Sequence, residues 1–215
     1  MKSQRRLTIV LAMWLQATLL LAQADSLARH TMAYPTFRRA VATLADGRTV
    51  AVPQANVFLK GSVLVYRSPK GRVMEAGRSA VRCVDFDDRH YERIDTMLFW
   101  RVDTVGSNAL YRATCIDMAS VRQQILNSRN MTDMQMNSLL LSATALTDDF
   151  DYADLPYADI YVFWYRGKWV RADERNVDHA LPRNKRQAFR QATAMPGFSW
   201  SRAESLVGLL RAISN

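Results

Sequence analysis

Arg38-Arg39-Ala40-Val41-Ala42-Thr43-Leu44-Ala45-Asp46-Gly47-Arg48-Thr49-Val50-Ala51-Val52 reads as two short β-rich runs around a turn. Arg38–Leu44 alternates apolar and polar side chains, and Asp-Gly between apolar runs is a strong hairpin cue. The same cadence continues downstream. Asn56–Leu59 and Ser62–Arg67 are separated by Lys60-Gly61, and Ser68-Pro69-Lys70-Gly71 turns the chain into Arg72–Ala76. Ala80–Phe86, Tyr91–Ile94, Met97–Val102 and Leu110–Ile116 complete the series. Short strands at this spacing predict a meander, small barrel or sandwich.

After Ile116 the period changes. Asp117 is placed to cap a helix carrying Met118, Val121 and Ile125, and Thr132-Asp133-Met134-Gln135 reads as a capping box for a second one. An acidic, aromatic stretch follows, with Asp148, Asp149, Asp151, Asp154 and Asp159. Then come Ile160–Tyr165, the turn Arg166-Gly167, and Lys168–Arg171. Pro182 is predicted to open a helix through Ala194. Ser201-Arg202-Ala203-Glu204 reads as a capping box for a helix with the apolar stripe Ala203, Leu206, Val207, Leu210 and Ile213. The predicted fold class is α+β. A β-rich N-terminal meander, small barrel or sandwich (25–116) leads into a helical, acidic connector (117–156). A small C-terminal unit of a β-hairpin plus helices (157–215) ends the chain. The Leu44–Phe86 strand cadence resembles the five-stranded small barrels of the SH3 or Sm type. That resemblance spans under a quarter of the chain and implies no function.

The first 24 residues have the order of a secretory signal peptide. Lys2, Arg5 and Arg6 form a positive start, Leu7–Leu21 is almost wholly apolar, and Ala22-Gln23-Ala24 is a small-x-small cleavage pattern. Cleavage is expected between Ala24 and Asp25, with a cut after Ala28 as the competitor. The apolar run is short of a membrane-spanning helix, and no second stretch is long enough. The expected location is extracytoplasmic, either periplasmic or secreted. Removing 24 of the 215 residues leaves 191, enough for one domain or two small ones, and lowers the net charge from +9 by three to +6. Apolar residues at 49% and charged residues at 23% give a chain able to build a core.

Outside the cytoplasm two cysteines can be oxidised, so Cys83 and Cys115 are read either as a disulfide across neighbouring strands or as two separate buried thiols. The cluster Asp85-Phe86-Asp87-Asp88-Arg89-His90 offers Asp85, Asp87 and His90 as metal ligands or as the centre of a hydrolase; the alternative is a polar turn. The five aspartates of 148–159 are read as a calcium site or a solvated linker. Arg183, Lys185, Arg186 and Arg190 are read as a basic helix face for anionic lipid or glycan, or as a solvated face. Trp164, Tyr165 and Trp169 are read as a stacking surface or as core. The chain has no Gly-x-Ser-x-Gly elbow, phosphate-cradling glycine loop or dinucleotide fingerprint. No cofactor and no catalytic residue is assigned. The function expected is that of an exported, non-catalytic globular protein binding an unknown protein or an anionic envelope component. Nucleic acid is not an expected partner.

Overall fold

The computed structural model describes residues 32–117, 119, 120, 123 and 156–214. The signal segment with its Ala24/Asp25 cut, most of the helices expected beyond Asp117, and Asp148–Asp154 lie outside them; Ala119, Ser120 and Gln123 are helical, and Asp117 Oδ1 accepts from Ala119 N–H at 3.0 Å and Ser120 N–H at 3.2 Å. Ten strands form a single antiparallel sheet: β1 (Arg38–Leu44), β2 (Thr49–Phe58), β3 (Val63–Arg67), β4 (Val73–Glu75), β5 (Val81–Phe86), β6 (His90–Ile94), β7 (Met97–Val105), β8 (Asn108–Ile116), β9 (Tyr157–Tyr165) and β10 (Lys168–Arg171). Three α-helices follow: α1 (Glu174–Ala180), α2 (Arg186–Thr193) and α3 (Ala203–Ser214).

The opening hairpin is built as its residues dictate. Leu44 N–H donates to Arg48 O at 2.8 Å and Gly47 N–H to Leu44 O at 3.0 Å, with Gly47 at φ +87°. A three-residue loop of this kind needs a left-handed residue in its last position, which glycine adopts without steric cost. Pro53 lies within β2. It sits where the β1–β2 register shifts between Arg38 and Ala40, a position that demands no ladder N–H from it.

Strand order is β10-β9-β8-β7-β6-β5-β1-β2-β3-β4, so the chain leaves β4 and returns to lie beside β1. The sheet then rolls on itself. Leu98 N–H at the start of β7 donates to Ser62 O beside β3 at 2.7 Å, and Ser62 Oγ donates back to Leu98 O. The roll encloses a core that includes Tyr34, Ala42, Val57, Leu64, Val84 and Leu98. Further along the sheet, α1–α3 cover a second core that includes Leu110, Phe163, Val177, Phe189, Leu206 and Leu210.

The structure adds to the sequence reading and departs from it at several points. The sheet continues across the expected boundary at Ile116, since β8 and β9 pair from Ala109↔Trp164 to Ile116↔Tyr157. Cys83 on β5 and Cys115 on β8 are not on neighbouring strands. With β6 and β7 between them they lie about 14 Å apart across the sheet, against a limit of about 7 Å for a bridge, and both thiols are free. The residues just before β1 include Met32 and Tyr34, both buried. Helix α1 had no counterpart in the sequence reading; the Asp173 side chain caps it by accepting from Asn176 N–H.

Candidate functional site

Cross-strand register sets one row of side chains on the inner face: Val84↔Tyr91↔Trp100↔Arg112↔Tyr161, running from β5 to β9. Trp100 and Arg112 stand between the two cores, where neither the roll nor the helices cover the sheet completely. The β5–β6 turn, closed by Phe86 N–H donating to Arg89 O at 2.9 Å, brings Arg89 over the same spot. Its guanidinium lies 4.6 Å from the Trp100 ring centre, and that of Arg112 lies 4.7 Å from it.

The stack extends further. Arg89 is also 5.0 Å from the Tyr34 ring, and Arg38 lies 4.7 Å over that ring. Arg38, Tyr34, Arg89, Trp100 and Arg112 therefore form a continuous guanidinium–aromatic ladder. The quadrupoles of the two rings attract the cations and fix their planes. A carboxylate closes each end. Asp88 Oδ1 accepts from Tyr34 Oη and Arg38 Nη1, both at 3.0 Å. Asp159 accepts from Thr114 Oγ1 at 2.6 Å and Tyr161 Oη at 3.2 Å, with Arg112 Nη1 at 3.5 Å. Three guanidiniums against two carboxylates leave one net positive charge.

Burial and the Tyr34 hydroxyl's bond to Asp88 push the Tyr34 phenol far above its ordinary range, so it stays a neutral donor. Desolvation, the largest influence on Asp88, works against its charge. The Tyr34 hydrogen bond and the Arg38 charge together outweigh it and hold the carboxyl below its usual value. A pocket of about 250 Å³ opens beside the ladder, lined by Arg89, Tyr91, Trp100, Arg112, Thr114 and Ser62 together with Met32, Ala33, Val57 and Leu59.

The residues singled out from sequence are placed differently. Asp85 and His90 face each other across β5 and β6, with His90 Nδ1 2.6 Å from Asp85 Oδ1. Asp87 is exposed in the turn apart from them, so the three do not assemble as a ligand set or a hydrolytic centre. Among the described residues no three His, Cys, Asp or Glu side chains are grouped to hold a metal ion. Arg183 and Lys185 lie in a 3₁₀ turn that precedes α2, and Arg186 and Arg190 lie on α2; Arg183 and Arg190 are exposed, Lys185 and Arg186 are half-buried, and Arg186 lies 3.9 Å from Asp178. Of the aromatic trio, Tyr165 is buried with its hydroxyl donating to Ile213 O. Trp169 is exposed and stacks on Trp164 at 4.8 Å. Of the five aspartates, Asp159 alone lies in the described residues, and it serves the ladder.

His90 carries a pH prediction. Glu92 is the largest influence and raises its pKa, ahead of opposing desolvation; Asp85, closer but more exposed, adds less. His90 in turn lowers the pKa of Glu92. A raised histidine contributes stability that is complete below its ordinary 6.5 and is lost as pH climbs through the folded value. A lowered glutamate contributes above its ordinary 4.5 and loses this as pH falls through the folded value. The pair is worth most between those two ordinary values. Urea midpoints of His90→Gln should therefore fall less than those of the parent protein as pH rises from about 6 to about 8.5. Parallel profiles would remove the pair from the account of stability.

The ladder was missed in the sequence because its members lie far apart along the chain. The usable signal was the apolar triplet Met32-Ala33-Tyr34 ahead of the first strand. No protein-family model matches the chain, and no curated protein or solved structure matches it.

Proposed function

We propose that the protein is exported and acts by binding, without catalysis, and that it takes an anionic group of its partner at the guanidinium–aromatic ladder. Support for export is the ordered n-region, apolar run and Ala22-Gln23-Ala24 motif, with removal of Met1–Ala24 leaving Asp25 first. The mature chain then works in the periplasm or outside the cell. Among the described residues no helix is long and apolar enough to cross a membrane. The rolled part of the sheet is read as a small open barrel, with the helices and β9–β10 as its C-terminal extension.

The observation that carries the binding reading is the placement of Arg89 and Arg112 over one indole, on the wall of one pocket. Guanidiniums held in place lose little freedom on binding, and their planar forks match the oxygens of a carboxylate or phosphate. Their own acids are held at arm's length. Asp88 is 3.9 Å from Arg89 and Asp159 is 3.5 Å from Arg112, longer than a charge-assisted hydrogen bond, and both acids are occupied by hydroxyls. The expectation of an anionic partner thus moves from the C-terminal arginines to the centre of the sheet.

The test uses the mature chain purified from the native host, with inorganic phosphate and succinate as probes. The N-terminus should be Asp25; a retained Met1 would overturn export. The Trp100 indole N–H resonance should shift with a Kd of about 1 mM or tighter, and the affinity should weaken as salt rises. Arg112→Gln should lose about tenfold or more in affinity. Absence of any shift with both anions, or undiminished binding by Arg112→Gln, would overturn the binding reading.

A further inference from the structure

Strand β2 is ten residues long, but β3 pairs only with its last four, from Ala55↔Tyr66 to Phe58↔Val63. Among the described residues, Thr49–Gln54 therefore has β1 on one side and no strand on the other. The hairpin geometry says which backbone groups are left over. Leu44 N–H bonds Arg48 O, and hydrogen-bonded pairs alternate along an antiparallel ladder. The amide and carbonyl of Val50 and Val52 thus point to β1, and those of Thr49 and Ala51 point away from it. Pro53, next in the alternation, offers an outward carbonyl. Proteins usually guard such edges with charge, yet Thr49–Gln54 contains no charged residue.

Beside this edge runs an open, mainly apolar groove of about 780 Å³, walled by Val50 and Val52 and floored by Leu44, Leu64 and Ala76, with Tyr66 opposite. Its rim is basic. Arg67 lines it, and Lys70 and Arg72 stand in the adjoining turn, both exposed. The Arg67 guanidinium sits 4.9 Å over the Phe37 ring, and its Nε is buried with no hydrogen-bond partner among the described residues.

We propose that this edge and groove bind an extended peptide that adds a strand beside Thr49–Ala51. Alternate apolar side chains of the peptide enter the groove, and a carboxylate at one flank meets Arg67. The unpaired backbone sets the strand form, the two-residue period of the strand sets the apolar spacing, and the rim sets the charge. The site is separate from the ladder and would stand if anions did not bind there.

The experiment is amide hydrogen exchange on the mature chain with the probe acetyl-Thr-Val-Thr-Val-Thr-Val-Glu, used with a free C-terminus and, as its control, with Gln-amide in place of the last residue. Exchange at Thr49 and Ala51 should slow about tenfold or more on binding, while Val50 and Val52, already bonded to β1, should not change. Ala51→Pro removes an outward N–H and spares the β1 ladder, so it should weaken binding about tenfold or more. Arg67→Gln should weaken the acid-ended peptide and leave the amide-ended one unaffected. Several results would overturn the proposal: neither peptide binding, unchanged exchange at Thr49 and Ala51 in saturating peptide, or undiminished binding by a folded Ala51→Pro protein. Displacement of the peptide by dodecanoate, with the same two amides unprotected throughout, would assign the groove to an amphipathic anion instead.

Discussion

Asn56→Ala is expected to destabilise the protein by about 3–5 kcal/mol, the largest loss from any single polar side chain. Asn56 is completely buried on β2. Its Oδ1 accepts from Tyr34 N–H at 3.1 Å and Val57 N–H at 2.8 Å. Its Nδ2 donates to Tyr34 O at 2.9 Å and Thr36 O at 3.3 Å. One amide therefore satisfies both backbone groups of Tyr34 and ties the segment before β1 to the rolled core. Alanine leaves those groups buried and unpaired, each costing about 1–3 kcal/mol, with partial relief from relaxation. Asn56→Asp should not rescue the loss, because it keeps the acceptor but removes both donors and buries a charge. Urea unfolding followed by circular dichroism measures the effect, and a loss below about 1 kcal/mol would show that Asn56 does not hold this segment. The consequence reaches the ladder as well. Tyr34 is the rung between Arg38 and Arg89, so loosening it should weaken phosphate binding in any Asn56→Ala protein that still folds.

What the sequence made legible follows from which forces are local. Turn chemistry and two-residue alternation located the hairpin at Asp46-Gly47, the strands of the roll, and the apolar stripe of α3, because each depends on neighbours a few residues apart. Strand order did not follow, since nothing in β4 or β5 announces that β5 returns to β1. With the order hidden, the row from Tyr91 through Trp100 to Arg112 was hidden too, for a register is a fact about two strands at once. The same ignorance made Cys83 and Cys115 look bridgeable: both occupy strand-like runs, and the two strands between them are invisible in one dimension. The Asp85–His90 cluster drew attention by its local density of acid and imidazole. Alternation along a hairpin brings its two ends together as a pair but leaves Asp87 in the turn. Buried polar anchors such as Asn56 and Asn108 look like ordinary turn or strand residues until their partners are known. Asn108 donates to Ser214 Oγ at 3.0 Å and accepts from Arg166 N–H at 2.9 Å, joining the β9–β10 turn to the end of α3.

Phe163→Ala should cost a further class of energy, about 3–5 kcal/mol from lost burial and the cavity left behind. Phe163 is 1% exposed in the C-terminal half of β9, opposite Leu110 on β8 and Val170 on β10, in the core that α3 covers with Leu206, Leu209, Leu210 and Ile213. The larger interest lies in how the loss is distributed. The rolled core and the helix-covered core are separate clusters of side chains, yet they are built on one sheet, which passes from one to the other through the β7–β8 pairing and continues into β9. Paired strands cannot open on one side without exposing a row of backbone donors and acceptors on the other. The cost of an exposed edge therefore couples the two cores. In Phe163→Ala, helix content at 222 nm and the emission of Trp100, which sits over the pocket beside the roll, should be lost in one coincident transition, shifted to lower urea together. Loss of the helices at a lower midpoint than the Trp100 signal would instead divide the protein at β8 into two cooperative units. The boundary at Ile116 would then mark a division in energy that the hydrogen-bonded sheet conceals.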